Sequence, residues 1–403
     1  MTRLRQEVDR LALELAWSQW RELGVGAAPT RHQWQAIDLE PLIIFTSALG
    51  SDIRLRARTI DWCITNARFI SAFRLRHFAA LATPLTRQAF GRYAATVKAH
   101  GTLPWPGAGD PYAMLPADHK EATPNLKRPS LIQLRLRTLV GVSARAEILK
   151  ALLAAGDAAH TAASLAESSG YAKGGIAQAL DMMTMAGLLN VELSSNRLVY
   201  HLADAQELGR LLRWLPAEYP DWQSIFRVVE RLVGYAAAAP GGTAQRLPAA
   251  AALFAEISTD VERMRLDAKV PEPVDAASLA DFEDWALEFL AAQTEGRRPS
   301  STRQASYVLH REGAEEWIAG ITSAAGLPRP LLEARPAGAQ DVATAMFRDA
   351  LEPEAEWGEM TAVCTEFADE VLRALRPGHG ATYSSEFVRR WYGNRRKRFD
   401  ATA

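Results

Sequence analysis

Between Ser143 and Leu202 the apolar spacing changes from a helical period to an alternating one, and no other stretch restricts the fold as tightly. Ser143 stands where a helix cap belongs, ahead of Ile148, Leu149, Leu152 and Leu153, which share one helix face. Gly156 and Asp157 end that helix, and Thr161 is placed to cap a short second one carrying Leu165 and Ala166. Ala166 and Gly170 give the Ala-x-x-x-Gly spacing of a tight corner, where a small residue lets two helices approach and glycine relaxes the turn. A third helix puts Ile176, Leu180 and Met183 inward and Lys173, Gly174, Gln178 and Asp181 outward, and Gly187 stops it. Val191 and Leu193 then alternate with polar neighbours, Ser194-Ser195-Asn196 turns the chain, and Leu198 and Tyr200 alternate on the return. That pattern predicts a β-hairpin.

Three helices followed by a hairpin make a winged helix-turn-helix. Ala144 to Leu202 resembles the winged-helix domain of bacterial transcription regulators of the MarR/ArsR type. Leu165-Ala166-Glu167 before the turn, Ile176 and Leu180 in the third helix, and Ala186-Gly187-Leu188-Leu189 entering the wing carry the resemblance. It implies a third helix in the major groove and a wing on phosphate or the minor groove. That would place Tyr171, Lys173, Gly174, Gly175, Gln178, Asn196 and Arg197 at DNA. The chain departs from the family at Gly174-Gly175 and Ala177, where members often carry hydroxyls or Arg.

At 403 residues, with 48% hydrophobic and 23% charged residues, the chain is long enough for two or three globular domains. Its net charge of −1 provides no global attraction to nucleic acid. The average hides an asymmetry. Residues 51–100 carry Arg54, Arg56, Arg58, Arg68, Arg74, Arg76, Arg87, Arg92 and Lys98 against the acids Asp52 and Asp61, while acids concentrate between Asp275 and Glu288. Such segregation points to an acidic partner or to internal pairing of basic and acidic segments. Cys63 and Cys364 are the only cysteines, far apart, which excludes a disulfide framework and a Cys-cluster metal site and fits a reducing cytoplasm. Met1 to Trp20 is charged throughout, unlike a signal peptide, and no run approaches the ~18 apolar residues of a membrane span.

The expected architecture is mainly α, multi-domain, with a central winged helix and its small hairpin. An N-terminal helical domain spans 1–100, with helices from Leu4, from Asp38, from Asp52, over Ala72 to Leu81, and, after a break at Thr83-Pro84, through Phe90, Tyr93 and Val97 to Gly101. A Pro-rich linker covers 101–129 and the winged domain 130–203, led in by a helix over Leu131 to Leu139. A helical domain follows over 204–296, including the helix after Pro220-Asp221-Trp222, and then a C-terminal helical segment with a basic tail over 297–403. There Gly296 to Ser306 reads as a linker, and helices are expected around Trp317 and Ile318, over Val342 to Leu351, and over Met360 to Leu375. The Asp-Trp start, with helices like Asp52 to Leu81 and a central winged helix, also resembles bacterial proteins associated with nucleotidyltransferase-like toxins.

Little in the sequence points to catalysis. No phosphate-cradling or dinucleotide glycine loop is present, and the eight histidines form no His-x-x-x-His pair. His379 with Ser384 or Ser385 lacks a third partner and a nucleophile elbow. No enzyme, metal or cofactor is expected. Two readings remain. The first is a DNA-binding transcriptional regulator, with duplex DNA as partner and a homodimer expected because half-sites pair with protein symmetry. Phosphates would be met by Lys127, Arg128, Arg135, Arg137 and Arg145, and by Arg395, Arg396 and Lys397 of the tail, where Trp391 and Tyr392 add stacking. The second is a non-enzymatic, antitoxin-like partner-binding protein whose winged helix, or basic 51–100 region, makes protein contacts. The whole of Ser143 to Leu202 has Arg145, Lys150, Lys173 and Arg197 against Glu147, Asp157, Glu167, Asp181 and Glu192, so it is not basic overall.

Overall fold

The computed structural model describes residues 3–26, 31–50, 52–101, 105–107, 109–113, 123–156, 158–212, 215–238, 242–264, 270–295, 306–322, 328–331, 337–351 and 357–400. The chain is mainly helical and divides into two compact units, one of Met1–Leu202 with Glu218–Arg297 and one of Ala203–Ala217 with Arg298–Ala403.

The first unit opens with α1 (Arg3–Glu22), α2 (Leu39–Ala48), α3 (Ile53–Thr65), α4 (Ala72–Leu81) and α5 (Pro84–His100). Local chemistry sets these boundaries. The Asp52 carboxylate accepts from the Arg54 and Leu55 amides, the Ser71 hydroxyl from Arg74, and the Thr83 hydroxyl from Thr86, ahead of Pro84 in the first turn of α5. α6 (Ile132–Val140) leads into the winged helix: α7 (Ala144–Ala155), β1 (His160–Thr161), α8 (Ala162–Ser169), α9 (Lys173–Met185), β2 (Leu189–Ser194) and β3 (Arg197–Leu202). α11 (Trp222–Ala238), α12 (Thr243–Met264) and α13 (Ala276–Glu295) complete the unit, while α10 (Ala205–Leu212) falls in the other. α1 packs on α13 and α11, and α2 on α5, α11 and α4. Their core centres on Trp20 against Trp62, ring centroids 5.4 Å apart, and Phe45 stacked on Phe226 at 4.6 Å.

Several expectations are corrected here. Residues 1–100 and 218–297 share one core rather than forming separate domains, because α11 fills the space between α1 and α2. The described part of the Pro-rich stretch is no free tether: Trp105 is buried 6.3 Å from Phe90 and 6.2 Å from Tyr93. Tyr112 lies between the guanidinium groups of Arg56 and Arg92, at 4.2 and 4.3 Å. Ser143 occupies the N-cap position of α7, but its hydroxyl donates to the Val140 and Gly141 carbonyls and caps nothing. Thr161 does cap α8, in a reciprocal box with Ser164.

The second unit is not purely helical. β4 (Ser306–Arg311), β5 (Trp317–Thr322), β6 (Pro328–Pro330) and β7 (Gly380–Ser384) form an antiparallel sheet in the order β6-β5-β4-β7. Trp317 and Ile318 are therefore in a strand, and the period that matters is 2: Trp317, Ala319 and Ile321 are buried, as are Tyr307 and Leu309 opposite. α14 (Ala339–Ala350), α15 (Trp357–Phe367), continued by a π-helical turn over Ala368–Leu372, and α16 (Ser385–Asp400) add Met346, Phe347, Phe367 and Val388 to that core. No helix among the described residues is long and apolar enough to cross a membrane.

His32 ties the loop after α1 to that helix. Its Nδ1 donates to Gln35 Oε1 at 2.7 Å, and its Nε2 lies 2.7 Å from Ser18 Oγ, a hydroxyl that is also 2.7 Å from the Leu15 carbonyl. Burial holds the imidazole neutral, lowering its pKa to about 4. The unfolded chain therefore binds a proton between about pH 6.5 and 4 that the folded one refuses, and stability falls as pH drops through that window. Thermal unfolding across a pH series should show this decline, and His32→Gln should flatten it.

Candidate nucleic-acid interface

The winged helix has a small core of its own, built from Ile148, Leu149, Leu152, Leu153, Leu165, Ile176, Leu180, Met183 and Leu189, all buried. What fixes it to the N-terminal helices is ionic. Arg137 on α6 is fully buried: its Nη1 donates to Glu40 Oε1 and to the Phe69 carbonyl, both at 2.6 Å, and its Nε donates to Glu147 Oε1 at 2.9 Å. Arg74 on α4 reaches Glu40 at 2.5 Å and Asp38 at 2.8 Å, while its Nε donates to the Ser169 carbonyl at the end of α8, at 2.7 Å. Lys150 on α7 meets Asp38 at 2.8 Å, and the Gln133 amide bridges Asp38 and Glu147 at 3.0 Å each. Three carboxylates thus face three cations. Burial alone would raise the Asp38 and Glu147 carboxyls; Arg74 and Lys150 beside the first, and Arg137 and Arg74 beside the second, hold both well below the usual carboxylate range.

This network orients the α8–α9 corner. Gly170 ends α8 in the left-handed region, with φ +72°, and a Cβ there would meet His77 and Phe78 of α4 at 3.1 Å. Tyr171 follows, its ring stacked on Phe73 at 5.0 Å and its hydroxyl 3.1 Å from Ser71 Oγ. Tyr171 is thus committed to packing on α4, which corrects its reading as a free DNA contact.

The rest of the expected reading surface stands open. Lys173, Gly174, Gly175 and Gln178 are exposed on the first turns of α9, and Asn196 and Arg197 at the tip of the wing. A Cβ at either Gly174 or Gly175 would meet nothing within 4 Å. The N-cap of α9 is Ala172, which offers no side-chain oxygen to the first amides. Among the described residues, Lys173 and Arg197 meet no carboxylate, and Arg145 is exposed at the start of α7. Arg76, 6.0 Å from the Phe73 ring that stacks on Tyr171, is a further exposed cation beside that corner, and it pairs with no acid among the described residues. In sequence Arg76 is one cation of the undivided 51–100 run; the contacts of Phe73, Arg74 and Ser71 with Ser169 and Tyr171 bring α4 to this corner.

The flanking phosphate contacts fare unevenly. Lys127 is exposed. Arg128 is partly drawn in, its Nη1 3.3 Å from the Arg21 and Glu22 carbonyls and 3.5 Å from Glu22 Oε2. Arg135 donates to the Leu126 and Arg128 carbonyls at 2.8 and 2.7 Å, and burial lowers its pKa to about 10. Arg135 and Arg137 hold the fold from inside and are withdrawn as phosphate contacts. In the second unit Arg395 pairs with Glu366 and Glu370 and lies over Trp391, while Tyr392 is buried against Phe347, so this part of the tail folds inward. The side chains of Arg396 and Lys397 lie outside the described residues.

No family model, curated protein or solved structure matches the chain.

Removing one member of the buried network leaves opposite charges dry and unpaired, which costs roughly 3–5 kcal/mol. Arg137→Met should therefore lower the denaturation midpoint sharply, whereas Arg145→Met, at an exposed site, should shift it little. Denaturant titration of both variants distinguishes a structural Arg137 from a surface one.

Proposed function

We propose that this chain is a non-enzymatic, DNA-binding regulator that meets duplex DNA with the N-terminal turns of α9 and the tip of the wing. One observation carries the reading. The first turn of α9 combines an uncapped N-terminus, two glycines whose missing side chains would touch nothing in the protein, and an unpaired Lys173. Two exposed helical glycines forgo roughly 0.5–1 kcal/mol each relative to alanine, with no return in packing. Close approach of a phosphate to the open amides supplies the reason, since helix N-termini attract anions and glycine lets them come near. Gln178, one turn on, is placed for a base edge, and Arg197 for phosphate or the minor groove. Arg76, beside the Tyr171–Phe73 stack, adds a cation next to the corner, and Arg145 is a further exposed cation of the same domain. The two cysteines are unpaired and buried, which suits a reducing cytoplasm.

A second reading, a partner-binding or antitoxin-like protein, is favoured by the apolar side chains exposed on the same domain: Met182, Met185, Leu188, Val191, Leu193 and Leu198.

Fluorescence anisotropy across a salt series decides between them. Duplex from the chain's own promoter region should bind with affinity that falls steeply as salt rises. Gly174→Ala with Gly175→Ala should stabilise the fold yet weaken DNA binding several-fold, a combination that a purely structural helix would not give. Gln178→Ala should lose roughly 1–3 kcal/mol on a preferred site and little on random duplex. Arg197→Ala should weaken both alike and reduce the salt slope by about one. No binding to either duplex at low salt would leave the partner-binding reading.

A further inference from the structure

Strand β2 is a free edge of the winged-helix sheet, whose order is β1-β3-β2. Exposed edge strands are usually blunted by proline, lysine or a bulge. β2 has no proline, lysine or bulge, and Glu192 is its one charge: its sequence is Leu-Asn-Val-Glu-Leu-Ser, and the register runs unbroken from Leu189↔Leu202 to Ser194↔Arg197. The two-residue turn Ser195-Asn196, with φ of 45° and 64°, makes Ser194–Arg197 the closing hydrogen-bonded pair. Alternation along an antiparallel ladder then makes Glu192–Val199 and Asn190–His201 hydrogen-bonded pairs too. The N–H and C=O groups of Leu189, Val191 and Leu193 consequently point to the open edge, and among the described residues no other strand or loop backbone meets them.

The side chains on this strand are as unprotected as its edge. Val191, Leu193 and Leu198 continue the row of buried Leu189, Tyr200 and Leu202 beyond the end of its own core, leaving Leu193 72% and Leu198 53% exposed. Met185 and Leu188, just before the strand, are exposed apolar residues as well.

We propose that β2 pairs antiparallel with β2 of a second copy of this chain about a two-fold axis, joining the two sheets edge to edge. The strand's own sequence selects the register. Only Leu189, Val191 and Leu193 offer outward groups, so these must oppose one another. Centring the axis on Val191 places Val191 opposite Val191 and Leu189 opposite Leu193, and uses every outward group on both strands. It also sets Asn190 opposite Glu192. Moving the axis to Glu192 would put two carboxylates face to face, which is destabilising, and moving it to Leu193 would strand most of the ladder beyond the turn. The interface is self-complementary in hydrogen bonding and apolar contact, as a two-fold contact requires, and sets no like charges directly opposite one another. It stands whether or not α9 reads DNA.

Light scattering of the full chain over a concentration series should show a reversible dimer. The double variant Val191→Lys, Leu193→Lys changes only exposed side chains and should be monomeric while keeping its far-UV circular dichroism and thermal midpoint. Asn190→Lys sets an opposite charge against Glu192 twice per dimer and should tighten association several-fold, and Asn190→Glu should weaken it by a similar factor. Val191→Cys should cross-link through a short bismaleimide far better than Leu193→Cys, with little background because Cys63 and Cys364 are buried. A chain that stays monomeric at every concentration overturns the proposal. So does a dimer indifferent to the Asn190 substitutions, or one cross-linked at Leu193→Cys and not at Val191→Cys.

Discussion

Six ionised side chains sealed between helices govern the first unit. Asp38, Glu40, Arg74, Arg137, Glu147 and Lys150 come from the segment before α2 and from α2, α4, α6 and α7. Each would be expensive to bury alone, and the cluster is tolerable only because charges balance and spare oxygens are met by the Ser71 amide and Gln133. An apolar contact could hold the winged helix to the N-terminal helices as strongly, but it would allow sliding. Forked guanidinium groups meeting two carboxylates at once allow one arrangement. Through the Arg74–Ser169 bond, that arrangement reaches the corner from which α9 starts.

Much of the helical framework was legible because its signals are local. Asp52, Ser71 and Thr161 announce helix starts by hydroxyl or carboxylate chemistry, and the structure begins α3, α4 and α8 at those residues, while Thr83-Pro84, legible as a break, also caps α5. The wing is equally local, since Ser195-Asn196 can adopt the left-handed turn that a two-residue hairpin needs. Arg137 was misread for the opposite reason. Nothing within a few residues of it tells a phosphate-seeking arginine from one awaiting Glu40, which lies far back in the sequence. The strands of the second unit were missed because Trp317 and Ile318 are adjacent large hydrophobes that suit a helix as well as a strand. Only pairing with β4 settles which period applies.

The candidate surface was legible in part. Lys173, Gly174, Gly175, Gln178, Asn196 and Arg197 are as open as the pattern suggested, whereas Tyr171 is spent on α4. The apolar excess of the wing was visible only as alternation. Alternation predicts a strand with one buried face, but it does not reveal where the covering core stops. Here it stops short of Leu193 and Leu198, and the outer half of the hairpin carries a buried-type sequence with nothing in its own domain to bury it.

Gly170 has a mechanical consequence. With α4 side chains 3.1 Å from where a Cβ would stand, only a residue without a side chain lets the α8–α9 corner lie this close to the N-terminal helices. A larger residue there has to push the corner off α4, and with it the Ser169 carbonyl that Arg74 holds. The placement of α9 against α4 therefore depends on a single missing methyl group.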